Sequence, residues 1–158
     1  MARRTFFSFH YQKDIFRANV VRNHWVTQRD SNKKYNTRLF WDGSLWEEVK
    51  RKGDKAIKDA INEGLKNTSV TVVLIGEETY DRKYVKYELE RSYEDGKGLL
   101  GVYIGQIDDI YGNAGVNGPN PFNYVSFPNT YPTYYWYTDR GYENFSDWVE
   151  QAAIEAGR

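Results

Sequence analysis

An α/β domain built on a parallel sheet with helices on both faces is the fold this sequence predicts, and three observations predict it. Val70-Thr71-Val72-Val73-Leu74-Ile75 is a β-branched run without charge, as a central parallel strand covered on both faces requires. Asp54 to Leu65 places Ile57, Ala60, Ile61 and Leu65 on one helical face. Strand-like and helix-like segments alternate along the chain, the order that favours parallel pairing through crossover helices. The whole chain, 1–158, reads as one domain, because a domain of that size buries about two thirds of its unfolded surface.

Taken in order, Thr5-Phe6-Phe7-Ser8-Phe9 is β-prone, and Asp14 to about Thr27 permits a helix. The polar stretch from Gln28 to Gly43 allows only a short strand around Leu39-Phe40-Trp41. After the helix of Asp54 to Leu65 and the strand of Val70 to Ile75 comes a helix from Asp81 to Tyr93. Asp81 is available to cap its first turn, and Asp95-Gly96 ends it. A second buried strand runs from Leu99 to Ile104. Gly, Asn and Pro crowd the stretch from Gln106 to Pro132, which reads as an irregular surface excursion. A last strand, Tyr134 to Tyr137, leads to a helix starting at Asn144, with Phe145, Trp148, Val149, Ala152 and Ala153 on one face.

Composition narrows the function. Lys plus Arg and Asp plus Glu number 22 each, so no strong field gathers nucleic acid or anionic lipid, and neither is expected as a partner. The chain has no cysteine and two histidines, which excludes disulfides and argues against a zinc or iron site. No apolar run approaches the roughly 20 residues that span a bilayer, and Met1-Ala2-Arg3-Arg4-Thr5 does not read as a signal peptide, so a cytoplasmic address is expected. Aromatic residues make up 17% of the chain; most are expected to pack in the core, and they also suit half-exposed interfaces and clefts for flat heterocycles.

In sheets of this kind ligands bind outside the carboxyl ends of the strands, so site residues are sought after Phe9, Trp41, Ile75 and Ile104. On the helix from Asp81 to Tyr93, Val85, Leu89 and Ser92 form the inward stripe while Lys86 and Glu90 point away. Glu88 borders that stripe, one turn after Tyr84, so carboxylate and phenol share one edge. The plainer reading of Glu88 is a half-exposed carboxylate paired with Arg91 or Lys86. His10, beside a strand end, reads more readily as a binding or capping residue than as an acid or base. Asp42 either meets substrate or a neighbouring subunit, or only forms a turn before Gly43.

The run Phe6-Phe7-Ser8-Phe9-His10-Tyr11, the segment Trp41-Asp42-Gly43-Ser44-Leu45-Trp46, the Val70 to Gly76 strand and Tyr84-Val85-Lys86-Tyr87-Glu88-Leu89 resemble TIR domains, which have a flavodoxin-like sheet. Together with Phe16 to Trp25 and Gly118-Pro119-Asn120-Pro121-Phe122 they are most similar to the TIR-like signalling proteins of bacterial Thoeris anti-phage systems. Catalytic TIR domains carry an aromatic, three residues and a glutamate on this helix. Here these are Tyr84, where many relatives have Trp, and Glu88.

The resemblance implies cleavage of the nicotinamide–ribose bond of NAD+ and formation of a cyclic ADP-ribose signal that activates a separate NAD-consuming effector. It also implies assembly through contacts between TIR domains, to which the aromatics from Tyr131 to Tyr137 are expected to contribute. No cofactor is expected, since NAD+ is the substrate. Nicotinamide leaves as a neutral molecule and needs no acid, so an ionised Glu88 is expected to stabilise the developing oxocarbenium charge. Tyr84 and Phe9 offer flat surfaces for nicotinamide or adenine, and Ser8 and His10 polar contacts. A non-catalytic adaptor is the competing reading, and retention of Tyr84 and Glu88 at this spacing argues against it. A phosphoacceptor domain would need acidic residues where Ser8-Phe9-His10 stand, and a dinucleotide dehydrogenase would need a glycine fingerprint after the first strand.

Overall fold

The computed structural model describes residues 3–29, 48–128 and 130–158, with residues 25–29 described by their backbone alone. Its elements are β1 (Thr5–Ser8), α1 (Tyr11–Arg29), α2 (Asp54–Leu65), β2 (Val70–Ile75), α3 (Lys83–Glu94), β3 (Gly98–Tyr103), β4 (Thr133–Tyr135) and α4 (Gly141–Glu155). The strands stand in the order β1-β2-β3-β4 and every pairing is parallel, with Phe7 beside Val72, Val72 beside Leu100 and Val102 beside Tyr134. The expected short strand around Leu39-Phe40-Trp41 lies outside the described residues.

Alternation along β2 builds two layers of core. Val70, Val72 and Leu74 pack with Ala18 and Val21 of α1 and with Phe145 and Val149 of α4. Val73 and Ile75 point the other way, onto Val85 and Leu89 of α3. Phe6 of β1 meets Ile57, Ile61 and Leu65 of α2 on that same second side. Helices therefore cover both faces of the sheet, as the uncharged β2 run requires. Among the described residues no helix is long and apolar enough to cross a membrane.

Several element ends differ from the sequence expectation, each for a local reason. α1 starts at Tyr11 and not Asp14, because His10 caps it: its carbonyl accepts from the Asp14 N–H at 2.9 Å and its ring Nδ1 from the Lys13 N–H at 3.4 Å. Asp81 does not cap α3. It ends a 3₁₀ turn, Thr79–Asp81, and α3 begins at Lys83 after an extended Arg82, with no side-chain cap. α4 begins three residues before Asn144, whose amide instead donates to the Asp139 carbonyl at 3.0 Å. β4 stops at Tyr135, where the backbone N–H turns to the Asp139 carboxylate at 2.7 Å.

The carboxyl ends of β2 and β3 are sealed. The loop after β3 donates from Gly118 N–H to the Gly76 carbonyl at 3.1 Å and from Gly115 N–H to the Gly105 carbonyl at 2.8 Å. At Gly118 a Cβ would sit 2.1 Å from the Glu77 carbonyl oxygen, so only glycine lets the two backbones approach this closely. Arg17 of α1 holds the same loop, donating to the carbonyls of Ile107 (2.6 Å) and Asn113 (3.3 Å) while pairing with buried Asp14. The rest of the excursion is pinned too. Phe127 stacks on Tyr93 with ring centroids 4.5 Å apart, and Ser126 donates through N–H and hydroxyl to Glu90. Lys97, buried ahead of β3, donates its ammonium to the carbonyls of Leu65 and Thr68 and to the Thr68 hydroxyl, closing the end of α2.

Candidate active site

With β2 and β3 sealed, the open cleft lies at the carboxyl end of β1, between α2 and α3. Its volume is about 120 Å³, on the scale of a cavity of roughly 150 Å³ that accepts a benzene ring, so its enclosed part takes one ring and not a whole dinucleotide. Phe9 and His10 line it from β1, Ile57 and Ile61 from α2, and Tyr84, Val85 and Glu88 from α3.

Glu88 is the one carboxyl among the lining residues, and it is 9% exposed. Arg91 pairs with Glu94 and Asp95 instead, so the half-exposed ion-pair reading of Glu88 does not hold. Its partner is Ser8, whose fully buried hydroxyl donates to Glu88 Oε1 at 2.6 Å. The turn behind it is also fixed: Ser92 Oγ donates to the Glu88 carbonyl at 2.7 Å, and Thr71 Oγ1 lies 2.7 Å from Ser92 Oγ. A buried polar seam thus ties the carboxyl to β1 and its backbone to β2. Burial among Val85, Leu89 and Ile61 pushes the Glu88 carboxyl up to about 8, and the Ser8 hydrogen bond only partly opposes this. The expectation of a resident carboxylate is therefore corrected. Glu88 on its own is mainly neutral at pH 7, because one hydroxyl cannot replace the water a carboxylate needs.

Ser8 is also corrected: it lies beneath the lining and acts on Glu88, not on the cleft. Tyr84 and Phe9 do reach the lining. The Tyr84 hydroxyl donates to Asp54 Oδ1 at 2.7 Å, Lys83 lies over its ring, and Phe9 packs against Tyr11 at 6.0 Å. His10 lines the cleft while capping α1, and burial, then the Arg82 guanidinium, holds its ring below the ordinary range. It is uncharged at neutral pH and unsuited to act as an acid. Asp42 lies outside the described residues.

The chain matches the family model for the TIR-like domain of the Thoeris protein ThsB over residues 6–109. It belongs to the ThsB TIR-like family. A Bacillus cereus (strain MSX-D12) protein named "Putative cyclic ADP-D-ribose synthase ThsB1" is 50% identical over 128 residues, covering 80% of this chain and 65% of that protein. The chain thus spans a little under two thirds of that relative's length. Of the residues singled out from sequence, the cleft gathers Phe9, His10, Tyr84 and Glu88. Sequence reasoning missed Lys50, Gln12 and Arg82 in the lining and Asp54 behind Tyr84. The last two carried a weak signal, since Arg82 follows the end of β2 and Asp54 opens a firm helix. Among the described residues no cluster of three or more His, Asp or Glu is placed to hold a metal ion.

Proposed function

We propose that this chain binds NAD+ with its nicotinamide end in the β1–α3 cleft and breaks the nicotinamide–ribose bond with Glu88. The observation that carries the reading is a single buried carboxyl on the cleft wall, fixed from two sides and flanked by Tyr84 and Phe9. An incoming pyridinium cation makes the ionised form of Glu88 favourable, so binding releases a proton to solvent and leaves a carboxylate beside a cation. The C1′–N bond then breaks with its electron pair going to nicotinamide, which leaves neutral. The carboxylate, still accepting from Ser8, stabilises the positive ribose carbon.

A cyclic ADP-ribose product, the chemistry named for the Bacillus cereus relative, requires an oxygen or nitrogen of the same molecule to reach that carbon before water does. In this reading the product serves anti-phage signalling through a separate NAD-consuming effector. The active form is an oligomer, since the cleft is shallow and Tyr135 and Tyr137 stand about half exposed.

The test is Glu88→Gln, which keeps shape and removes the charge. Nicotinamide release from NAD+ should fall on the order of 100-fold or more, about 3 kcal/mol, with circular dichroism unchanged. Wild-type release by the folded, assembled variant would sink the mechanism, and no release by the wild type itself would favour an adaptor role. In concentrated wild-type samples activity per molecule should rise, and mass spectrometry should show a cyclic product over the hydrated one.

A further inference from the structure

Lys50 and Arg82 stand in the lining of the cleft with Glu88, and both side chains are exposed to solvent. Among the described residues neither side chain takes part in an ion pair or hydrogen bond. The acidic group that acts on Arg82 at longer range is Glu78, and Glu78 is already held by Lys13. Six other surface cations, Lys13, Lys55, Lys58, Lys83, Arg91 and Arg140, have carboxylate partners. In a chain whose charges sum to zero, the cleft therefore holds two unmatched cations and no resident anion, since His10 is uncharged and the one carboxyl is kept neutral by burial.

From this charge distribution we propose that Lys50 and Arg82 form a phosphate-binding subsite that takes the diphosphate bridge of the dinucleotide. The inference rests on the NAD+ reading of the same cleft and specifies how the substrate is oriented. A planar guanidinium matches two phosphate oxygens, and an ammonium adds a flexible point charge, so the pair suits two linked phosphates. Nicotinamide dinucleotide carries a cation at one end and anionic phosphates a ribose away. Glu88 on the wall and Lys50 with Arg82 in the same lining present the opposite polarity. A molecule entered by its adenosine end would keep its phosphates near the two cations but would bring no positive charge to Glu88. The subsite thus selects for phosphorylated ligands, and the Glu88 carboxyl for the reactive orientation.

The test uses the full chain, wild type and the variants Lys50→Gln, Arg82→Gln and the double, each checked for fold by circular dichroism. Binding of ADP-ribose, which keeps the diphosphate and lacks nicotinamide, is measured by calorimetry at two salt concentrations, with inorganic pyrophosphate as competitor. Turnover of nicotinamide riboside, which lacks phosphate, is followed in parallel. Each single variant should weaken ADP-ribose on the order of tenfold, as expected for a charge-assisted contact, and the double should weaken it further. Pyrophosphate should compete in wild type, more weakly as salt rises, and not in the double. Any nicotinamide riboside turnover should be affected far less than ADP-ribose binding. Equal ADP-ribose binding by wild type and double variant, equal loss of nicotinamide riboside turnover, or absence of both ADP-ribose and pyrophosphate binding would overturn the subsite. Pyrophosphate held by wild type and not by the double, in a protein that never cleaves NAD+, would support the subsite and remove the NAD+ cleavage reading.

Discussion

Burying a carboxyl beside Val85 and Leu89 with one hydroxyl donor makes its ionised form costly, and stability against pH reads that cost directly. The folded value of Glu88 is raised from 4.5 to about 8, so the unfolded chain gives up this proton first. Its contribution to stability is complete below about 4.5 and is lost as pH rises through about 8, at up to roughly 1.4 kcal/mol per pH unit. Urea unfolding of wild type against Glu88→Gln, from pH 5 to 9, should show that loss in wild type alone. Activity should run the opposite way. The form of the free enzyme that accepts a cationic substrate is the ionised one, so kcat/KM for NAD+ should climb with pH and level above about 8. Ser8→Ala removes the bond that lowers this carboxyl, and should move the levelling point to higher pH while lowering the rate at neutrality. A merely structural Ser8 would leave the pH profile in place.

At the scale of elements, α3 is the piece whose placement decides the site. Ser92 and Thr71 fix it to β2 from inside, and Glu90 with Tyr93 fixes the loop at Ser126 and Phe127 to its outer side. Glu90 therefore has a structural role although it points away from the cleft. Glu90→Gln should loosen the excursion, seen as faster amide exchange around Ser126. Lys97→Met should cost about 1–3 kcal/mol in urea unfolding, since the buried Thr68 carbonyl would lose the ammonium that donates to it while the Leu65 carbonyl keeps Thr68 as donor. The face of α3 was legible from spacing alone, because Val85, Leu89 and Ser92 can share a stripe only one way. Its start was not. Asp81 has the composition of a cap, yet the Thr79 hydroxyl captures the Gly76 N–H at 2.8 Å and turns the chain into a 3₁₀ turn first. Such a contest between two local hydrogen-bonding patterns is decided by where β2 delivers the chain.

For the molecule as a whole, the parallel sheet and its two helical layers follow from the uncharged β2 run and the alternation of elements, and both are legible in the residues. Which strand ends stay open is not. The rule that ligands meet carboxyl ends of strands offers β1, β2 and β3 equally, and only the close approach of Gly118 and Gly105 to neighbouring carbonyls closes two of them. Gly118→Ala should therefore destabilise the fold by about 1–3 kcal/mol in thermal or urea unfolding, by forcing the loop off the end of β2. Lys50 and Arg82 were hidden for a similar reason: each sits in a charged run that reads as solvated surface until packing brings α3 beside β1.

A carboxyl that is neutral when alone and charged only beside a cation also governs what happens after the bond breaks. Free nicotinamide carries no charge, so the interaction that drew the ring inward vanishes with the reaction, and Glu88 recovers its proton from solvent. The spent ring then competes poorly with fresh substrate, so accumulated nicotinamide should inhibit weakly at neutral pH. Charged N-alkylated pyridinium compounds of the same size should inhibit far better, their advantage disappearing in Glu88→Gln.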